Sequence, residues 1–115
     1  MSVSFKIAFY KTIRGKSIVE EYIKKQNRST QVKIVHAFDL LREYGFNLLG
    51  THWMKKIHSH PNPYELRVKS VIEYRFIFYF TDNSYFILSG FEKKKQKIPK
   101  KEIDLAMQRY AENAT

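Results

Sequence analysis

The sequence predicts an α+β fold in one domain spanning residues 1–115, with the order β-α-α-β-β-β-β-α. Three observations carry this expectation. Apolar residues alternate with period two at the N-terminus and from Tyr64 to Lys69, and two further apolar runs follow closely before Phe91. They recur at helical spacing twice before Gly45 and once after Pro99. The runs between Tyr64 and Phe91 are separated by turns too short for a crossover, which favours a mostly antiparallel sheet. Two N-terminal helices and a C-terminal helix are expected to gather on one face of that sheet.

Each element has its own signature. Val3, Phe5, Ile7 and Phe9 share one parity and read as a strand, broken by Arg14-Gly15-Lys16. Ser17 is placed to cap a short helix, with Glu20 completing a capping box and Ile18, Val19, Tyr22 and Ile23 forming its apolar face. Asn27 to Thr30 is a break with a second capping candidate. Val32, Val35, Phe38, Leu41 and Tyr44 then mark a second helix that should end near Gly45. Met54 to Ile57 is a short strand, and His58 to Pro63 a loop, because its prolines remove donors. Tyr64, Leu66 and Val68 alternate with Glu65, Arg67 and Lys69, giving a strand with one greasy and one charged face. Glu73 to Phe80 is apolar on most positions of both faces and should be central. Thr81 to Ser84 is a turn by composition, Tyr85 to Phe91 a further strand. Pro99 suits a first helical position, followed by Ile103, Ala106, Met107 and Tyr110 on one helix face.

Composition narrows the function classes. With 43% hydrophobic and 16% aromatic residues the chain is too rich for a disordered tail. Cysteine is absent, which excludes a disulfide framework and a thiol nucleophile. The N-terminus alternates instead of forming an apolar block, and no run approaches the roughly 20 residues a spanning helix needs, so a cytoplasmic location is expected. Against 11 acidic residues stand 21 Lys and Arg, a formal net charge of +10. That excess favours a polyanionic partner: RNA, DNA, an anionic membrane or an acidic protein.

Register gives the sharpest expectation. The strands at 64–69 and 73–80 should form a hairpin, and both greasy sets must face one core. Because a one-residue slip flips every side chain, only some registers satisfy this. The one with a three-residue loop, Ser70 to Ile72, pairs Leu66 with Phe76 and Val68 with Tyr74. It also sets Arg67 opposite Arg75 on the other face. Like charges directly opposed are unfavourable. Glu65, next along that face, would offset them in part; a bound phosphate, whose oxygens match guanidinium groups bidentately, would do so better. The run Glu92-Lys-Lys-Lys-Gln-Lys97 lies between the last strand and the last helix and is placed to reach the charged face. His58 and His60 are spaced for acid–base work or for a metal, but no third ligand is apparent. His36 reads as structural.

Four segments together carry a resemblance: Tyr64-Glu-Leu-Arg67, Tyr74-Arg-Phe-Ile-Phe-Tyr79, Gly90-Phe-Glu-Lys-Lys-Lys-Gln-Lys-Ile-Pro99 and Glu102-Ile-Asp-Leu-Ala106. In this order they resemble the phage-derived Gp49-like group of HigB toxins, within the RelE/ParE superfamily, over about Leu41 to Tyr110. The resemblance implies the superfamily's RelE-like sheet-and-helices fold. It also implies a type II toxin that cleaves messenger RNA on the ribosome, and a HigA-type helix-turn-helix antitoxin as partner. By position, Arg67 and Arg75 match the basic active-site residues, and Lys93, Lys94 and Lys97 the lysine-rich segment. Many relatives carry a histidine just before the Gly-Phe pair; this chain has Ser89.

The chemistry expected is metal-independent and needs no cofactor: the RNA 2′-hydroxyl attacks the adjacent phosphate. DNA, which lacks that hydroxyl, should resist. Arg67 and Arg75 would clamp the phosphoryl oxygens as charge builds on them. Glu65, a lysine of 93–97 with Lys94 foremost, and His58 or His60 remain open as general base and acid. Lys93, Lys95, Lys97, Lys69 and Lys56 are assigned to RNA contacts. Three other readings fit the charge: a gyrase-targeting toxin on the same fold, a non-catalytic RNA-binding module, and a module docking an acidic partner.

Overall fold

A computed structural model describes residues 5–58, 63–94 and 97–113. The elements are β1 (Lys6–Phe9), α1 (Ile18–Lys24), α2 (Arg28–Tyr44) with a 3₁₀ turn at Gly45–Leu48, β2 (Met54–Lys56), β3 (Tyr64–Lys69), β4 (Glu73–Thr81), β5 (Ser84–Glu92) and α3 (Lys100–Asn113). The α+β order is the expected one. The five strands form one sheet in the order β1-β5-β4-β3-β2, antiparallel except where β1 runs parallel to β5. β4 is the middle strand, which explains why it is apolar on both faces.

The hairpin register is the one the greasy sets demand. Leu66 pairs with Phe76, Val68 with Tyr74, and Arg67 with Arg75. Ser70 to Ile72 connect the strands, with the Ser70 amide donating to the Ile72 carbonyl. Asp82 and Asn83 turn β4 into β5 with φ of 50° and 58°, the paired left-handed conformation of a tight hairpin. β5 bulges opposite Ile77 and Phe78, where Leu88 is the extra residue.

The helices do not share one face. α1 and α2 cover one side, packing Val19, Ile34, Ala37, Phe38 and Leu41 onto Leu66, Val68, Phe76, Phe78, Tyr85 and Ile87. α3 covers the other side, where Ala106, Ile103 and Tyr110 meet Ile77, Tyr79 and Leu88. The reason is visible in β4: a strand greasy on both faces needs cover on both, and one layer of helices cannot supply it.

Three local expectations are also corrected. Ser17 stands at the α1 N-cap but its side chain makes no capping bond, so no capping box forms; Asn27 does cap α2, accepting from the Thr30 amide at 2.8 Å. The buried stripe of α2 is Thr30, Ile34, Ala37, Phe38 and Leu41, whereas Val32, Val35 and Tyr44 are exposed. Two apolar repeats overlap on this helix, and the sheet takes the one completed by small Ala37, which allows close approach. Pro99 immediately precedes α3, and its carbonyl accepts from the Glu102 amide at 3.0 Å. Among the described residues, no helix is long and apolar enough to cross a membrane.

Candidate active site

α3 spans only part of its face of the sheet. Beside it, toward β3 and β2, the charged side chains of β3 and β4 are left facing a cleft of about 480 Å³. Its lining includes Lys55, Lys56 and His58 from β2 and the residues after it, Glu65 and Arg67 from β3, Arg75 from β4, and Lys93 and Lys97 from the segment after β5. Ile57, Ile98 and Ile103 complete the wall. Among the described residues, four lysines beyond the arginine pair and a single carboxylate, from Glu65, make the cleft strongly electropositive.

The arginines are held by two carboxylates. Arg67 Nε donates to Glu65 Oε1 at 2.6 Å, and Arg75 Nε lies 3.5 Å from the same oxygen. Arg75 Nη2 donates to Glu73 Oε2 at 3.1 Å. Glu73 Oε2 also lies 3.6 Å from Lys93 Nζ. Arg75 is almost wholly buried, with 4% of its side chain exposed against 27% for Arg67. Burial lowers the Arg75 pKa, and Glu65 works against that loss while Arg67 adds to it. Partial burial raises the Glu73 pKa, but Arg75, Lys93 and Lys69 together outweigh it and hold the carboxyl below its ordinary value.

One donor is left over. Arg75 Nη1 is buried and has no hydrogen-bond partner among the described residues. A buried, charged N–H without an acceptor is costly, and such a group in a native fold calls for an explanation. An anion in the cleft supplies one: a guanidinium presents its remaining donors to phosphoryl oxygens in matched geometry.

The structure brings Arg67, Arg75, Glu65, Lys56, Lys93, Lys97 and His58 to this one cleft. It does not bring Lys94, which lines a neighbouring cleft with Tyr22, Glu92 and Glu102. Successive residues leaving a strand face opposite ways, so Lys93 and Lys94 divide between the two. Lys69 is exposed at the end of β3, opposite Glu73, and outside the lining. Lys95 and His60 lie outside the described residues. Ser89 is buried, and its hydroxyl donates to Glu102 Oε2 at 3.0 Å under α3, outside the cleft lining. His36 is exposed, its ring edge-on to Trp53 at 5.9 Å.

Two contributors escaped the sequence reading, Glu73 and Lys55. Glu73 shares the parity of Arg75 and is one step along the same face, so the register already placed it there. Lys55 sits on the edge strand, where a lysine is unremarkable as protection against edge pairing.

The amino-acid sequence matches the family of phage-derived Gp49-like proteins over residues 21–111. The chain belongs to the Gp49-like family. This is a toxin-like family of RelE/ParE type. No curated protein matches the chain. The match reaches further toward the N-terminus than the motif segments alone, taking in most of α1 and all of α2. In this Gp49-like protein the Tyr64-Glu-Leu-Arg67 and Tyr74-Arg75 segments are the two arms of the hairpin that carries the cleft's guanidinium groups.

Proposed function

We propose that this Gp49-like protein is the toxin of a type II toxin–antitoxin pair, a HigB-type endoribonuclease that cuts messenger RNA during translation. The carrying observation is Arg75 Nη1, buried beside Arg67 in a cationic cleft and without a partner among the described residues. The net charge of +10 suits an RNA or ribosomal partner, and the family type fits a toxin. A HigA-type helix-turn-helix antitoxin is the proposed inhibitor.

In this reading the RNA 2′-hydroxyl attacks its own phosphate, giving a cyclic phosphate and a free 5′-hydroxyl. Arg67 and Arg75 bind the phosphoryl oxygens as negative charge gathers on them. Glu65 keeps the two guanidinium groups together, and both of its roles compete: an oxygen already accepting from Arg67 is a poor proton acceptor. His58 lies inside the cleft and has ring nitrogens that can take and give a proton, so it is the favoured acid–base group. Lys56, Lys93 and Lys97 bind flanking phosphates. Lys94, Lys95 and Lys69 are assigned to ribosomal RNA.

The test is controlled expression with mapping of messenger 5′ ends. New ends within translated codons are expected, and about a hundredfold less cleavage in Arg67→Ala or Arg75→Ala. Growth arrest that persists in both variants with intact messenger refutes the reading. DNA-damage signalling in that case would point to a gyrase-type target.

A further inference from the structure

Glu73 does not line the cleft, yet it touches two side chains that do. We propose that Glu73 is a positioning residue, tying Arg75 on β4 to Lys93 after β5 and so fixing Arg75 for the reacting phosphate and Lys93 for a flanking one. This rests on the phosphodiester-cleaving reading above.

The contact is double. The Glu73 carboxylate takes Arg75 Nη2 at 3.1 Å and faces Lys93 Nζ at 3.6 Å. Its backbone carbonyl accepts the Lys93 amide at 2.8 Å, so the ladder and the side chain bind the same pair. With Glu65 beside Nε and Glu73 on Nη2, the guanidinium plane of Arg75 is held at two of its three nitrogens. The third, Nη1, has no partner among the described residues. Without Glu73, Arg75 keeps one carboxylate and is free to turn about it. Lys93, a quarter exposed, is free to swing into solvent.

Charge gives this role a signature of its own. A carboxylate beside the cleft repels a bound phosphate, so Glu73 weakens RNA binding while it orients the cations. Removing its charge therefore strengthens ground-state binding and slows the chemical step, two effects of opposite sign. A residue that merely supports the fold would not separate them.

The experiment uses the full chain with messenger-programmed ribosomes, and a 2′-O-methylated RNA oligonucleotide as the uncleavable probe. The variants are Glu73→Gln, Glu73→Asp and Arg75→Ala. Glu73→Gln is expected to lower the saturated cleavage rate about tenfold, leave the half-saturating concentration unchanged or lower, and bind the probe severalfold more tightly. Glu73→Asp is expected to recover most of the lost rate, because it restores the charge. Glu73→Gln cleaving as fast as the wild type, while Arg75→Ala is slow, overturns the proposal and leaves the nuclease reading standing. Rate and probe binding falling together also overturns it. If Arg75→Ala itself cleaves normally, the nuclease reading falls, and the role of Glu73 with it.

Discussion

Glu65→Gln is the substitution that best separates charge compensation from proton transfer. Glu65 and Arg75 expose only 4% of their side chains, and Glu65 Oε1 serves both arginines, at 2.6 and 3.5 Å. Removing one member of a buried ion pair commonly costs about 3–5 kcal/mol, because the other charge is stranded. Two features reduce that here. Arg75 keeps Glu73, and Arg67 is 27% exposed and stays hydrated. The glutamine oxygen can still accept from Arg67 Nε, so a loss of about 2–3 kcal/mol remains. At a typical urea slope of about 1.5 kcal/mol per molar, the unfolding midpoint should fall by roughly 1.3–2 M with an unchanged slope. Inorganic phosphate should then stabilise the variant more than the wild type, since the anion replaces the missing carboxylate; at a hundredfold excess over its dissociation constant, binding contributes about 2.7 kcal/mol. Equilibrium unfolding with and without phosphate measures both effects. A loss below about 0.5 kcal/mol, or phosphate acting equally on both proteins, would refute the reasoning that Glu65 holds the arginine pair together.

Two further outcomes follow from the same geometry. Gly90 faces Phe76 across the hairpin, and a Cβ built there would stand 2.6 Å from the Phe76 ring, which is fully buried; Gly90→Ala should therefore cost about 1–3 kcal/mol in urea unfolding. Glu73 has a folded pKa below its ordinary 4.5, because Arg75, Lys93 and Lys69 outweigh partial burial. The unfolded chain then binds more protons than the folded one at acid pH, so this contribution is complete above the ordinary carboxylate range. It is lost as pH falls through 4.5 and then through the depressed value. Midpoints measured across that range should decline less steeply in Glu73→Gln than in the wild type.

The parts of the fold that were legible in the sequence are those fixed by parity. Tyr64, Leu66 and Val68 must face the same core as Tyr74, Phe76 and Phe78, and that requirement alone sets Arg67 against Arg75. Helix faces were less legible. On α2, Val32, Val35, Phe38 and Leu41 and the set Ile34, Ala37, Phe38 and Leu41 both satisfy a helical period; the sheet chooses between them, and a single chain position does not reveal the choice. The placement of α3 opposite α1 and α2 was missed, although Ile77 and Tyr79 on the second face of β4 demand a second layer. For the candidate site, Arg67, Arg75 and Glu65 could be gathered because strand register is arithmetic; Lys56, Lys93, Lys97 and His58 were named from charge and spacing, and the hairpin register does not place them. Lys94 could not be separated from Lys93, because a lysine run carries no parity mark until the end of β5 is known.

The burial of Arg75 shows how the two layers produce the cleft. A guanidinium opposite another guanidinium would ordinarily be left to solvent, since water screens the repulsion most cheaply. Here α3 and the segment before it close over β4, and 96% of the Arg75 side chain is withdrawn from water, the remainder of its 4% exposure. Withdrawal strengthens every electrostatic interaction in the site, the repulsion from Arg67 included, so the carboxylates of Glu65 and Glu73 become necessary to the folded state. Two acids cannot saturate a guanidinium with five donors beside a second one. The unmet remainder, Nη1, is thus a consequence of burying a like-charged pair with too few anions. The same shortage makes the cleft selective: a ligand that brings several anionic oxygens at once relieves it, whereas a neutral ligand of equal size does not. Phosphate-dependent stabilisation that disappears in Arg75→Met while wild-type protein retains it would tie the effect to this nitrogen-rich wall and not to the lysines scattered over the rest of the surface.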